Sequence, residues 1–186
     1  MKRALPAVGL ALLVAIGSTW GCSSPRAQDA TAVHAVDTTP PVAATGARVP
    51  VGSVTDMEGQ HVDLSGALRS GRTVVLVFWQ TWCATCLVEA PELAAAARAH
   101  GDEILFVGVI PGPDGTVNDD EVRRLVKRFD LPYAQVRDRD LTWSRAFAVS
   151  GTPTLIALTA DGAEGWRHHR PPADWSALHR QLEALR

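Results

Sequence analysis

Residues 78–91 read Phe-Trp-Gln-Thr-Trp-Cys-Ala-Thr-Cys-Leu-Val-Glu-Ala-Pro and join two segments of different character. The apolar run Thr73–Trp79 has the length and the β-branched content of a buried strand. The segment Ala94–Ala99 is rich in alanine and predicts a helix. The sequence therefore predicts that two cysteines, Cys83 and Cys86, lie where a buried strand gives way to a helix.

The position of Cys83 near the start of that helix favours its ionised form. Unpaired backbone N–H groups and the helix dipole stabilise an anion there, and a thiolate is the nucleophile in disulfide exchange. Cys86, one turn along, lies within reach to close a disulfide with Cys83. Glu89 falls on the same helix face, where partial burial would raise its pKa and suit it to exchange a proton with Cys86. The alternative for Glu89 is an exposed helix carboxylate.

These motifs resemble the TlpA/ResA-like branch of the thioredoxin family. Trp82-Cys83-Ala84-Thr85-Cys86, followed by Pro91, is similar to the thioredoxin active-site helix, and Glu89 stands where this branch carries an acid. Gly151-Thr152-Pro153-Thr154 resembles the second family motif, whose proline is cis and presents the preceding backbone to the substrate. The resemblance begins near Pro50 and implies a thiol-disulfide oxidoreductase of the bacterial envelope.

The resemblance implies an α/β thioredoxin fold, with a mixed central sheet flanked by helices, an N-terminal β-hairpin and a helical insertion after the second core strand. Strands alternate with helices along the chain, as an α/β sheet requires. Residues 54–64 predict the hairpin, and Asn118 or Asp119 can cap the inserted helix. The other expected elements are a turn over residues 65–71, strands over 103–110, 132–137, 154–158 and 163–168, and helices ending near 100 and spanning 141–149 and 173–185.

The first residues predict an export signal. Met1-Lys2-Arg3 is basic, and the apolar stretch Ala4–Ile16 is too short to span a bilayer, which is typical of a secretory signal over residues 1–21. Gly before Cys22 resembles a bacterial lipoprotein cleavage site, although Thr19 stands where that pattern prefers Leu. Lipidation of Cys22 is the expectation, with plain cleavage or a retained anchor as the alternatives.

The cysteine count agrees with lipidation of Cys22. Three cysteines would leave one unpaired thiol in an oxidising compartment, whereas a lipid on Cys22 leaves only the pair Cys83 and Cys86. Residues 22–49 are rich in Ala, Thr, Ser and Pro and predict a lipid-anchored disordered tether. Residues 50–186 then form the thioredoxin-like domain, which is long enough for one core.

Several other classes of function are not expected. The formal net charge of −2 shows no basic bias, so nucleic acid is not an expected partner, and no cofactor is predicted. A zinc site would need further ligands beside Cys83 and Cys86, such as a second cysteine pair, and a purely structural disulfide at this spacing would constrain little of the unfolded chain. His168 and His169, as strand neighbours, point to opposite faces and predict a polar edge rather than a metal site.

The expected reaction is the reduction of disulfides in client proteins. Cys83 would attack the client disulfide, and Cys86 would resolve the mixed disulfide with Glu89 as proton acceptor. By resemblance, the clients are proteins with cysteine pairs, such as apocytochrome c or a copper site, and a transmembrane thiol reductase recharges the protein. The alternatives are an oxidant that uses the same pair, a peroxiredoxin-like peroxidase, which expects an isolated cysteine, and a copper-binding chaperone without turnover.

Three further residues are expected to contact the client. Thr152 and Pro153 would hold its strand beside the sulfurs, as the resemblance implies. Trp82 would lie on the rim of the site and contact partner proteins, because aromatic residues are enriched at such interfaces. The expected location is the periplasmic side of the envelope, tethered to a membrane by the lipid anchor.

Overall fold

The computed structural model describes residues 52–184 of the chain. The predicted signal over residues 1–21, the lipidation site Cys22 and the tether over 22–49 lie outside the described residues and stay predictions. The described elements are β1 Ser53–Thr55, β2 His61–Asp63, α1 Leu64–Arg69, β3 Thr73–Phe78, α2 Ala84–Ala99, β4 Ile104–Pro111, α3 Asp119–Phe129, β5 Ala134–Asp138, α4 Thr142–Ala146, β6 Thr154–Leu158, β7 Glu164–His168 and α5 Trp175–Glu183.

A mixed five-stranded sheet forms the centre of the fold, with the strand order β5-β4-β3-β6-β7. The central strand β3 pairs in parallel with β4 and antiparallel with β6. All six residues of β3 are buried, which explains its uninterrupted apolar sequence. The predicted α/β thioredoxin fold is therefore confirmed, and the strand that leads to the cysteine pair is buried along its whole length.

The two faces of the sheet support separate cores because successive side chains of a strand point to opposite faces. Leu76 and Phe78 of β3 pack with α1, Trp143 and Phe147 on one face. Val75 and Val77 pack with residues of α2 and α5 on the other face. Helix α2 is therefore fixed against the sheet along its buried side, and this packing holds its first turn at the end of β3.

The two predicted additions to the thioredoxin fold, an N-terminal hairpin and an inserted helix, are both present. Strands β1 and β2 pair antiparallel as a separate hairpin, and α3 follows β4 as the inserted helix. Asn118 caps α3, since its side chain accepts hydrogen bonds from the backbone N–H groups of Asp120 and Glu121. Within residues 52–184, no helix is both long enough and apolar enough to cross a membrane.

Two local predictions were wrong. Residues 65–71 were expected to form a turn, but most of them belong to α1, which begins because the side chain of Asp63 accepts a hydrogen bond from the N–H of Gly66. Leu68 of this segment is buried in the core, with 3% of its surface exposed. The helix expected over 141–149 is shorter, because Leu141 before α4 and Ala148 after it adopt left-handed backbone conformations, with φ of 58° and 47°.

Candidate active site

Cys83 is the residue that caps the N-terminus of α2. Its Sγ accepts a hydrogen bond from the backbone N–H of Cys86 at 3.2 Å, and the two sulfurs are joined in a disulfide. Residues 84–87, the first turn of α2, are Ala, Thr, Cys and Leu and carry no acid. No acid within this first turn therefore offsets the positive end of the helix dipole, which acts on the Cys83 sulfur.

The short loop between β3 and α2 is held by side-chain hydrogen bonds to other elements. Gln80 donates through its amide to the backbone carbonyl of Pro111 at the end of β4. Thr81 donates to the carboxylate of Glu121 in the first turn of α3, at 3.4 Å. The inserted helix therefore helps to fix the approach to Cys83, a contact that the sequence did not indicate.

A tryptophan beneath the disulfide is fixed by a buried amide. The indole N–H of Trp79 donates to the side-chain oxygen of Gln135 at 2.9 Å, and the amide of Gln135 donates to the carbonyl of Tyr133 at 3.0 Å. Gly108 makes room for this amide, because a Cβ at that position would lie 2.0 Å from the oxygen of Gln135. This close approach requires glycine in the strand next to β3.

Both sulfurs lie in a small apolar cluster. The exposed fractions of Cys83 and Cys86 are 6% and 5%, and they pack with Trp79, Ile110 and Val122. Because the two exposures are so similar, burial does not distinguish the attacking sulfur from the resolving one, whereas the helix position does. Partly buried Met57, from the N-terminal hairpin region, packs against the same cluster.

Glu89 is buried next to Cys86, as the helix-face argument expected. Its exposed fraction is 8%, and its Oε2 has no hydrogen-bond partner within residues 52–184. Burial raises the pKa of Glu89 above its ordinary value, the charge of Glu92 raises it further, and Arg170 lowers it in part. The interpretation of Glu89 as an exposed helix carboxylate is therefore wrong.

A narrow cavity brings the parts of the site together. It has a volume of about 10 Å³, and its lining includes Cys86, Glu89 and Pro153. The Thr152–Pro153 peptide bond is cis, as the family motif implied. The resolving cysteine, the buried acid and the proline loop thus adjoin one small space, although Pro153 lies 64 residues beyond Glu89 in the chain (153 − 89).

The remaining predicted residues differ in their surroundings. Trp82 is 76% exposed, in contrast to Trp79, which fits the interpretation of Trp82 as a rim residue. Thr152 is partly buried, and its hydroxyl has no hydrogen-bond partner in the described part of the chain. Its candidate contribution to substrate contact is therefore its backbone, next to the cis proline.

The two neighbouring histidines do not share one role. His168 ends β7, and its ring stacks on Trp166 at 5.9 Å. His169 follows the strand, and its Nδ1 lies 2.9 Å from the carbonyl oxygen of Pro153. The predicted polar edge therefore does not account for this contact between His169 and the proline loop. Among residues 52–184, no group of three or more His, Cys, Asp and Glu side chains is placed to hold a metal ion.

Residues 44–176 match the family model described as Redoxin. The chain belongs to the Redoxin family. It is 31% identical over 120 residues to the thiol-disulfide oxidoreductase ResA of Bacillus thuringiensis, which covers 63% of this chain and 65% of the relative. It is also 31% identical over 111 residues to the soluble secreted antigen MPT53 of Mycobacterium tuberculosis, covering 59% of this chain and 60% of that protein. The chain therefore spans less than two thirds of the length of these curated relatives.

A solved structure agrees with the fold of this Redoxin-family chain. The secreted Mycobacterium tuberculosis disulfide oxidoreductase homologous to E. coli DsbE superimposes with a TM-score of 0.55 at 24% identity. The match covers 72% of this chain and 96% of that structure. The Redoxin match spans the disulfide, Glu89 and the proline loop, whereas Cys22 lies outside it.

Proposed function

We propose that this Redoxin-family protein is a thiol-disulfide oxidoreductase that exchanges disulfides with client proteins outside the cytoplasm. The observation that carries the proposal is the Cys83–Cys86 disulfide at the start of α2, with the Cys83 sulfur as the helix cap. A thiolate formed at Cys83 on reduction would be stabilised by the N–H of Cys86 and by the helix dipole. The relatives named thiol-disulfide oxidoreductase support the same activity.

In the reducing direction, the thiolate of Cys83 attacks one sulfur of a client disulfide. A bond forms between the two sulfurs, the client S–S bond breaks, and one client thiolate leaves. Cys86, three residues along α2, then attacks the Cys83 sulfur, and the second client thiolate leaves. Two electrons pass from the cysteine pair to the client, and the Cys83–Cys86 disulfide remains.

The second attack requires Cys86 to lose its proton, and Glu89 is the group placed to receive it. Among the residues that line the cavity shared with Cys86, Glu89 is the one carboxyl group, and the rest of the lining is apolar apart from Tyr133 and Trp79. The raised pKa of Glu89 brings the basicity of this carboxylate closer to that of a thiolate, which favours transfer of a proton between them. In the reverse direction, the same carboxyl returns the proton to the Cys86 sulfur.

The client would lie over the disulfide, between the proline loop and the exposed Trp82. The backbone of Thr152, ahead of the cis proline, offers hydrogen bonds to an extended client segment, and Pro153 sits beside Cys86. Trp82, with its large exposed surface immediately before Cys83, supplies an apolar contact for the partner. These three residues bind the client, and Cys83, Cys86 and Glu89 carry out the exchange.

We further propose that the protein acts in the cell envelope, anchored through Cys22. The support is the signal-like sequence over residues 1–21 and the secreted relative MPT53. Clients with cysteine pairs, such as apocytochrome c or copper-site proteins, and a transmembrane thiol reductase as electron donor complete this proposal. Incorporation of a labelled fatty acid should be lost in Cys22→Ala, and its persistence in that variant would refute the anchor.

The reduction potential of the Cys83–Cys86 pair tests the direction of exchange. The full-length protein would be equilibrated in thiol-disulfide buffers, with tryptophan fluorescence as the readout, since Trp79 and Trp82 flank the loop that leads to the disulfide. A potential near or below about −270 mV would support a reductant, and one near about −120 mV would make the protein a disulfide donor. Failure to form a reversible disulfide would overturn the proposed activity, and copper binding by the reduced protein would then be measured.

A further inference from the structure

His169 contacts the proline loop from a separate part of the chain. Its Nδ1 lies 2.9 Å from the carbonyl oxygen of Pro153 and 3.3 Å from the hydroxyl oxygen of Thr154. The hydroxyl of Thr154 itself donates to the carbonyl of Gly151 at 2.8 Å. His169 therefore contacts Pro153 directly and is connected to Gly151 through the hydroxyl of Thr154. These contacts join both ends of the short loop over residues 151–154.

The partners of His169 determine which ring nitrogen carries the proton. A backbone carbonyl only accepts, so the short contact with Pro153 requires an N–H at Nδ1 of His169. The hydroxyl hydrogen of Thr154 is directed at Gly151, which leaves the lone pairs of that oxygen available to the same N–H. One tautomer of His169 thus satisfies every contact described here, with Nδ1 as the donor.

We propose that His169 is a positioning residue that holds the proline loop in the form that binds the client backbone. The proposal rests on the proposed disulfide exchange and adds a residue to its client-binding surface. His169 is itself exposed, so the hydrogen bond to Pro153 reaches the loop from the surface of the protein. The loop is therefore restrained from its outer side by His169, while Pro153 adjoins the cavity of Cys86 and Glu89 on its inner side.

Loss of the hydrogen bond from His169 should affect extended peptide clients and spare small disulfides. A peptide needs the backbone ahead of Pro153 to be held at a fixed position, because its own backbone pairs with that segment. A small disulfide has no backbone to pair, and it needs only the sulfur of Cys83. Removal of the His169 donor should therefore weaken client binding and leave the intrinsic reactivity of the cysteine pair unchanged.

The test compares three substitutions in the reduced full-length protein. His169→Phe removes the donor. His169→Asn keeps a nitrogen donor bonded to Cγ, at the place of Nδ1, and His169→Gln moves the donor to the place of Nε2. His61→Phe, in the exposed β1–β2 hairpin, is the matched control, since its imidazole contacts Thr55 of the same hairpin. The substrates are a synthetic peptide with an intramolecular disulfide and hydroxyethyl disulfide, each followed by tryptophan fluorescence in single turnovers across substrate concentration.

We expect His169→Phe to raise the half-saturating peptide concentration by on the order of tenfold, the scale set by the loss of one hydrogen bond. The maximal rate with the peptide, the rate with hydroxyethyl disulfide and the redox equilibrium constant of the Cys83–Cys86 pair should stay within about twofold, as should all values for His61→Phe. His169→Asn should restore peptide binding, and His169→Gln should not.

Three results separate the failure of this inference from failure of the proposed function. If the unmodified protein reduces neither substrate, the proposed exchange itself is wrong. If it reduces both and His169→Phe binds the peptide as well as the unmodified protein does, His169 has no positioning role. Equal losses with both substrates would also overturn the inference, because they would indicate a general disturbance of the site.

Discussion

Helices α2 and α3 both begin with a side-chain cap, but they begin in opposite electrostatic settings. Helix α3 is capped by Asn118, has acids at Asp119, Asp120 and Glu121 and ends with two basic residues, which all favour the helix. Helix α2 is capped by the sulfur of Cys83 and has no acid in residues 84–87. Helix α3 is therefore stabilised by charged residues in its own first and last turns. At the start of α2, by contrast, the positive end of the helix dipole is available to stabilise the sulfur of Cys83.

The largest expected effect separates the two sulfurs of α2. Cys86→Ala should accumulate mixed disulfides with clients, because Cys83 still attacks while the resolving sulfur is missing. Cys83→Ala should trap none. Non-reducing gels of envelope fractions, with and without reductant, measure the trapped species. Equal trapping by both variants would contradict the assignment of Cys83 as the attacking residue and with it the significance of the helix cap.

The next largest effect concerns Glu89, the buried acid of α2 that lies one turn beyond Cys86. Glu89→Gln removes the proton acceptor of Cys86 while keeping its shape, so exchange should slow by roughly tenfold or more. The pH dependence of the rate should change with it. Stopped-flow fluorescence against pH provides the measurement, and Glu58→Gln, at an exposed position in the turn between β1 and β2, is the control. An unchanged pH profile would remove Glu89 from the mechanism.

The buried acid also predicts a change in stability with pH. Because the pKa of Glu89 is raised in the folded protein, the folded state binds the proton more tightly than the unfolded state. Its contribution to stability is therefore fully present below the ordinary glutamate pKa and is lost as the pH rises through the folded value. Urea titrations of the oxidised protein should show this decline, and Glu89→Gln should flatten it. The same decline in the variant would assign it to another group.

The cap of α3 offers a stability effect without a redox effect. Asn118→Ala removes the acceptor of two backbone N–H groups and should lower the free energy of unfolding by about 1 kcal/mol. The reduction potential of the Cys83–Cys86 pair should not move. Chemical denaturation and redox titration on the same sample test both statements. A shifted potential would show that α3 influences the pair, with the Thr81–Glu121 contact as the route to examine.

The smallest expected effect comes from a substitution that places an acid in the first turn of α2, where α3 already carries acids. Thr85→Glu places a carboxylate at an exposed position in the first turn of α2, close to the Cys83 sulfur. It should favour the helix but oppose the thiolate, so that alkylation of the reduced protein at neutral pH slows by about two- to fivefold. Thr85→Gln is the neutral control. Equal rates for the two variants would show that the dipole does not govern Cys83.

The cysteine site could be predicted because its determinants are local. The apolar run, the cysteine spacing and the alanine-rich segment all lie in one stretch, and β3 and α2 begin and end close to the predicted boundaries. The sequence signals for helix α1 are also local, although a turn was predicted for this segment. Asp63 stands where a cap would, and Leu64 and Leu68 have helical spacing, which together outweigh the serine and glycine between them.

The role of His169 could not be predicted because it depends on strand register. Leu155 pairs with His168, which places His169 opposite the start of β6 and the loop before it. Counting outward from the Asp161–Gly162 turn does not give this pairing, because the register shifts between Ala157 and Leu158. An irregularity of one residue therefore decides whether an imidazole meets the proline loop, and no periodic pattern in the sequence records it.

The glycine beneath Trp79 has a consequence for experiments that sample every substitution in the chain. Gly108 lies one strand away from the strand that leads to the disulfide and touches no predicted client surface, yet any side chain there would displace the Gln135 amide from the indole. In a saturation library scored for disulfide exchange, substitutions at position 108 should therefore lower activity, because Gln135 must move to make room for them. A second replacement of Gln135 by a smaller residue should recover part of the lost fitness, marking the pair as one packing unit.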